Sequence, residues 1–120
     1  MTEVINLNRC KDWGKEGDIR CDRKTKWGNP FIMYYEKDRD LVCDLYKYYL
    51  DEITKPGNVQ TVFKILKIGG LTEYQANRWI EITGGFLDIN ELKTAKRLGC
   101  HCFPLRCHCD YLKQLLEMTK

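Results

Sequence analysis

The sequence has no apolar run near the ~20 residues that a membrane-spanning helix needs. Its start, MTEVINLNRC, lacks the basic and then apolar pattern of a secretory signal. Repeats, linkers and low-complexity segments are also absent from the 120 residues. We therefore expect one soluble domain spanning residues 1–120, located in the cytoplasm and without membrane association.

Strong net charge is absent as well, since the formal charge at pH 7 is +3. The charges are unevenly distributed: residues 34–53 carry six acidic and three basic side chains, whereas residues 93–120 carry six basic and two acidic ones. A basic C-terminal third suits an anionic ligand. An excess this small is more typical of a solvated face, and by itself it does not predict binding to duplex DNA.

Short strand patterns at both ends of the chain enclose several helical patterns. We predict strands over residues 4–8, around Ile19 and over residues 98–102. Apolar periodicity predicts helices over residues 38–53, 59–68, 72–82, 87–98 and 107–118. Thr72 with Gln75, and Asp88 with Glu91, have the spacing of capping boxes. This order predicts an α/β fold: a small sandwich with a partly parallel sheet, flanking helices and a C-terminal strand–helix unit.

Histidine is scarce, and both histidines lie in GCHCFPLRCHCD, residues 99–110, together with four of the seven cysteines. Strand alternation places Cys100 and Cys102 on one face. Cys107 and His108 fall at the start of the last helix, where free N–H groups and a partial positive charge stabilise a thiolate. Asp110, in the first helical turn, can cap the helix or orient a histidine. The same alternation turns His101 and Cys109 away from the site.

Three chemistries fit this stretch, and the residues alone leave all three open. Zinc, the one cofactor that the pattern suggests, would be held by Cys100, Cys102, Cys107 and His108. Alternatively, Cys107 acts as a nucleophile, with His108 as its base and Asp110 as the orienting group. In the third interpretation the cysteines only pack a strand against a helix. An odd number of cysteines and a reducing compartment disfavour disulfides.

Two separated motifs resemble a known family. KWGNPF at residues 26–31 and LGCHCFPLRCHCDYL at residues 98–112, with Arg39 and Tyr46 between them, are similar to an uncharacterised family common in phages and their hosts, the domain of unknown function 4326. The first block is matched by Arg23, Trp27, Gly28, Asn29, Pro30 and Phe31, and the second by Cys100, Cys102, Cys107, His108 and Asp110. The chain departs from the pattern at Ala95-Lys96, at His101 and at Cys109. The resemblance implies a site role for His108 and Asp110, and it implies no reaction.

The first motif has two interpretations. It is either a turn with core aromatics, or half of a binding site in which Arg23 and Lys26 contact an anion. In the second case Trp27 stacks on the ligand and Asn29 recognises its polar edge.

From this we expect a protein that binds, and if it is an enzyme modifies, a nucleotide-like or other anionic ligand between the WGNPF loop and the Cys/His turn. One alternative is a zinc-stabilised, non-catalytic module for nucleic acid or a host protein. Another is a phage-type accessory protein that sequesters a signalling nucleotide.

Overall fold

The computed structural model describes residues 2–22, 25–101 and 105–118. The chain divides into two compact units. Residues 1–29 and 89–120 form one of them, which we call the sheet unit, and residues 30–88 form the other, the helical unit. The expectation of one domain over the whole chain stays a prediction.

The regular elements confirm an α/β fold with a C-terminal strand–helix unit. The strands are β1 (Glu3–Asn6), β2 (Asp18–Arg20) and β3 (Arg97–Cys100), and the α-helices are α1 (Arg39–Ile53), α2 (Val59–Ile68), α3 (Glu73–Thr83) and α4 (His108–Met118). Across the described ranges, no helix has both the length and the apolar character needed to cross a membrane.

The helical unit is built around the apolar face of α1, whose Tyr46, Tyr49 and Leu50 are fully buried. The indole N–H of Trp79 on α3 donates a 2.7 Å hydrogen bond to the hydroxyl of Tyr49, so both polar atoms are paired inside the core. Helix α3 begins with the predicted capping box, in which Thr72 and Gln75 bond reciprocally. The 3.6-residue periodicity of the sequence therefore located all three helices of this unit correctly.

The helix predicted over residues 87–98 is wrong: the structure has only a 3₁₀ turn, Ile89–Leu92, at this place. The carboxylate of Glu91 forms an ion pair with Lys26, 2.8 Å away, and does not complete a capping box. Beyond the turn, the N–H of Lys96 donates to the carbonyl of Gly17, and the carbonyl of Lys96 accepts from Glu3. Pairing with two other segments thus takes the backbone groups that a helix would have used.

The sheet unit contains three parallel strands in the order β1-β3-β2. Helix α4 packs against β1 and β3. Gly99 lies in the central strand β3 close to Leu7 and Trp13, and a Cβ at this position would lie 2.5 Å from the Leu7 side chain. Arg97 bonds Asp18, the first residue of β2, and Asp12 of the β1–β2 connection. As in other parallel sheets, the carboxyl ends of all three strands meet at one edge, which is where α/β proteins place their ligands.

Candidate metal centre

Three cysteines meet where β3 ends and α4 begins. Cys100 is the last residue of β3, Cys107 directly precedes α4, and Cys109 lies in the first turn of that helix. Their three Sγ atoms all lie within 4.8 Å of one another. Each of the three residues is at most 3% exposed. The strand–helix unit therefore gathers three soft ligand atoms in a place that solvent does not reach.

Cys21 brings a fourth thiol to the same place. Its N–H donates to the carbonyl of Gly99 at 2.8 Å, which continues the β2–β3 pairing one residue beyond β2. Because Arg20 pairs with Gly99, this register sets Cys21 beside Cys100 on one face of the sheet. Cys21 is completely buried, and hydrogen bonding with its thiol is one of the causes that raise the pKa of Cys109, although its Sγ does not belong to the group of three that lie within 4.8 Å of one another.

The thiol of Cys109 lies at the centre of this group. Its pKa is raised well above the ordinary value, mainly by burial and further by hydrogen bonding with the thiols of Cys100, Cys107 and Cys21. A buried group of thiols in contact resists ionisation unless a cation balances the negative charge. Without a cation the Cys109 sulfur is therefore a neutral thiol rather than a reactive thiolate.

His108 borders the thiol group and is fixed at both ring nitrogens. One nitrogen, Nε2, donates to the carbonyl of Cys21, and the other, Nδ1, lies 3.5 Å from the Cys107 sulfur. Nε2 also lies 3.8 Å from the Cys109 sulfur. Burial alone would lower the pKa of His108, but its contact with Cys107 and the Cys21 carbonyl outweigh burial and raise it. The imidazole thus joins the start of α4 to the end of β2.

Asp110 positions the helix start, and its predicted role in orienting the histidine stays a prediction. Its carboxylate accepts a 3.0 Å hydrogen bond from the N–H of Cys107, and its own N–H donates to the Cys107 carbonyl. This is the capping role that the sequence allowed for Asp110, and it fixes the backbone of a cluster cysteine.

The structure thus brings Cys100, Cys107 and His108 together, whereas Cys102 lies outside the described residues. The expectation that Cys109 turns away from the site is wrong, because its sulfur lies in the cluster. Cys21 was not among the predicted site residues, because its position near a strand end gave no partner in the sequence. His101 is exposed and bonds the carboxylate of Asp22 at 3.1 Å.

Two of the residues predicted to bind a ligand at the WGNPF loop, Trp27 and Asn29, are buried. The Lys26 ammonium pairs with Glu91, and it also lies 5.8 Å from the centre of the Trp27 ring. Trp27 is only 4% exposed and Asn29 only 9%. Arg23 lies outside the described residues. The role of Arg23, Lys26, Trp27 and Asn29 in binding stays a prediction.

The geometry of the thiol cluster fits a tetrahedral metal ion. Zinc–sulfur bonds of about 2.3 Å set the sulfurs of a tetrahedral site about 3.8 Å apart. Sulfurs that already lie within 4.8 Å of one another reach this spacing with shifts of about 1 Å or less. Cys100, Cys107 and Cys109 can therefore hold a metal ion without a change of fold.

The family model described as Domain of unknown function (DUF4326) matches residues 5–118, which include every cysteine and histidine discussed above. A search of the curated proteins and a search of the solved structures found no match.

Proposed function

The chain belongs to the DUF4326 family, a domain family of unknown function, and we propose that it is a zinc-stabilised, non-catalytic binding module for a phosphate-bearing ligand. The observation that carries the proposal is the buried cluster of Cys100, Cys107 and Cys109, with sulfurs within 4.8 Å of one another. Sulfur ligands select zinc over magnesium and calcium, which prefer oxygen.

Burial of the cluster supports a structural role for the metal. Catalytic zinc needs a position open to water or substrate, and nucleophilic cysteines are partly exposed. The cluster cysteines are at most 3% exposed, which is the burial typical of structural ligands. A reducing compartment such as the cytoplasm, where we expect the protein, keeps such thiols available to a metal.

The basic character of the C-terminal third of the chain supports an anionic ligand. Lys93, Lys96 and Arg106 are exposed, in the same basic C-terminal third that contains the cluster. Arg97 is not available to a ligand because its guanidinium pairs with Asp12 and Asp18. Exposed basic side chains suit phosphate, whether it belongs to a free nucleotide or to nucleic acid.

Metal analysis of the purified, untagged protein tests the first half of the proposal. We expect about one zinc per chain by inductively coupled plasma mass spectrometry, several thiols protected from titration, and a fall in melting temperature when a chelator removes the metal. A protein with no bound metal, all seven cysteines titratable and a melting temperature that a chelator does not change would refute it.

Binding assays on the zinc-loaded protein test the second half and separate the two phosphate sources. A free nucleotide should raise the melting temperature by several degrees and be recovered unchanged. A labelled single-stranded oligonucleotide should instead bind with an affinity that falls steeply as salt is added. If neither probe binds at low salt, the module does not recognise phosphate.

A second candidate function rests on the 3.5 Å contact between the Cys107 sulfur and Nδ1 of His108. With Nε2–H held by the Cys21 carbonyl, Nδ1 is oriented to accept the thiol proton, as in a cysteine nucleophile with its base. The nucleotide would then lie between this pair and the WGNPF loop and be altered there, or be held without turnover. Reaction of Cys107 with iodoacetamide at neutral pH, faster than that of the other cysteines, would favour this candidate over a structural zinc site.

A further inference from the structure

We propose that the metal centre is a closed four-thiolate site in which Cys21 is the fourth ligand, and that His108 supports it from outside as a hydrogen-bond donor and does not bind the metal. This inference rests on the proposed zinc centre and specifies its composition. It also decides the chemistry of the site, because a closed site has no position for a bound water, whereas three thiolates alone leave one open.

Backbone pairing places Cys21 for this role. The hydrogen bond from its N–H to Gly99 locks it beside Cys100, on the face of the sheet where the other sulfurs lie. Its thiol is one of those whose hydrogen bonding raises the pKa of Cys109, and the Cys109 sulfur lies within 4.8 Å of those of Cys100 and Cys107. Among the described residues, the hydrogen bond of the Cys21 sulfur to the Ile19 carbonyl is a long one, 3.7 Å, which a thiolate gives up at little cost.

The orientation of His108 argues against ligation by its ring. One ring nitrogen faces the Cys107 sulfur and the other faces the Cys109 sulfur, so the ring lies along the edge of the thiol group. A histidine ligand would instead aim one nitrogen at the centre of that group. Ligation by His108 would also require three consecutive residues, Cys107 to Cys109, to converge on a single ion at a helix start.

His108 has a clear supporting role in the position that it occupies. Its Nε2–H holds the carbonyl of Cys21, the residue that supplies the fourth thiolate. Outer partners that fix a ligand in this way usually change metal affinity by about 10–100-fold when they are removed. We therefore class His108 as a positioning residue.

X-ray absorption at the zinc edge on the wild-type protein tests the inference without any substitution. We expect four sulfur neighbours at about 2.3 Å and no nitrogen neighbour at 2.0–2.1 Å. Cobalt in place of zinc should show tetrahedral absorption bands and a sulfur-to-metal charge-transfer band of the strength that four thiolates give. Three sulfurs with one nitrogen, or three sulfurs with one oxygen, would overturn the inference while leaving the zinc centre itself in place.

Three variants sharpen the test. Cys21→Ser should lower zinc affinity by more than about 100-fold, whereas His108→Gln should lower it by about 10–100-fold and keep four sulfur neighbours. Cys10→Ser, outside the cluster, is the control and should bind zinc like the wild type. A sulfur count that changes in His108→Gln but not in Cys21→Ser would overturn the assignment. Failure of the wild type to bind zinc or cobalt would refute the proposed metal centre as a whole.

Discussion

Two buried cysteines offer a matched comparison of a metal ligand with an ordinary core residue. Cys109 is in the cluster and fully buried, and Cys43 lies on the buried face of α1 with 6% of its surface exposed. Replacing either by alanine removes a single sulfur from a packed interior. We expect that loss alone to lower the free energy of unfolding by about 1 kcal/mol.

The zinc centre adds a second effect for Cys109 only. Bound metal stabilises the folded state by RT ln(1 + [Zn]/Kd), which is about 4 kcal/mol when free zinc is a thousand times Kd. Cys109→Ala, which loses this binding, should therefore unfold with about 5 kcal/mol less free energy than the wild type. Cys43→Ala should lose about 1 kcal/mol, because it leaves the metal in place.

Urea unfolding in zinc buffer, repeated with a chelator, measures both effects. The chelator should lower the stability of the wild type and of Cys43→Ala by about 4 kcal/mol and leave Cys109→Ala nearly unchanged. The large difference between the two variants should then disappear. Equal losses for the two variants in zinc buffer, with no effect of the chelator on the wild type, would refute the argument.

Three further predictions concern the scaffold. Tyr49→Phe leaves the buried indole N–H of Trp79 without its acceptor, so the free energy of unfolding should fall by about 1–3 kcal/mol in urea; a loss below about 0.5 kcal/mol would contradict this. Thr72→Ala removes the cap of α3 and should cost about 1 kcal/mol, and Thr72→Ser should restore most of it. Hydrogen bonding to Arg97 lowers the pKa of Asp18 to about 2 from its ordinary 3.8. A carboxylate with a lowered pKa stabilises the fold above its unfolded pKa, and this contribution is lost as the pH falls from about 4 to about 2. The melting temperature of Asp18→Asn should therefore decline less over this range than that of the wild type, and parallel declines would contradict the assignment.

The sequence predicted which helices and strands form better than it predicted where they end and what they contact. Periodicity located α1, α2 and α3 because each helix buries a continuous apolar stripe. Residues 87–98 carry similar local signals, and there the outcome depended on partners distant in the chain. The pairing of Lys96 with Gly17 and Glu3, and of Glu91 with Lys26, is tertiary information that no local pattern contains.

The candidate site was also only partly predictable, because it joins segments that are distant in the chain. The register of two parallel strands brought Cys21 beside Cys100, and a register between segments so far apart in the chain is not readable from either segment. Cys109 was misjudged for a different reason. Helix α4 starts at His108, so Cys107 lies outside the regular helix, and no fixed angle relates its side chain to that of Cys109.

A metal bound by these cysteines would stabilise a sheet unit whose small size and chain order make it weakly stable. The sheet unit has about 60 residues, a size at which a hydrophobic core alone gives marginal stability. It is also built from two segments separated by residues 30–88, so pairing β2 with β3 closes a long loop and carries an entropic cost. Cys21 precedes the intervening residues, and Cys100, Cys107 and Cys109 follow them. Zinc bound by all four would crosslink the two segments at the sheet edge, and the free energy of metal binding would then stabilise the strand pairing itself.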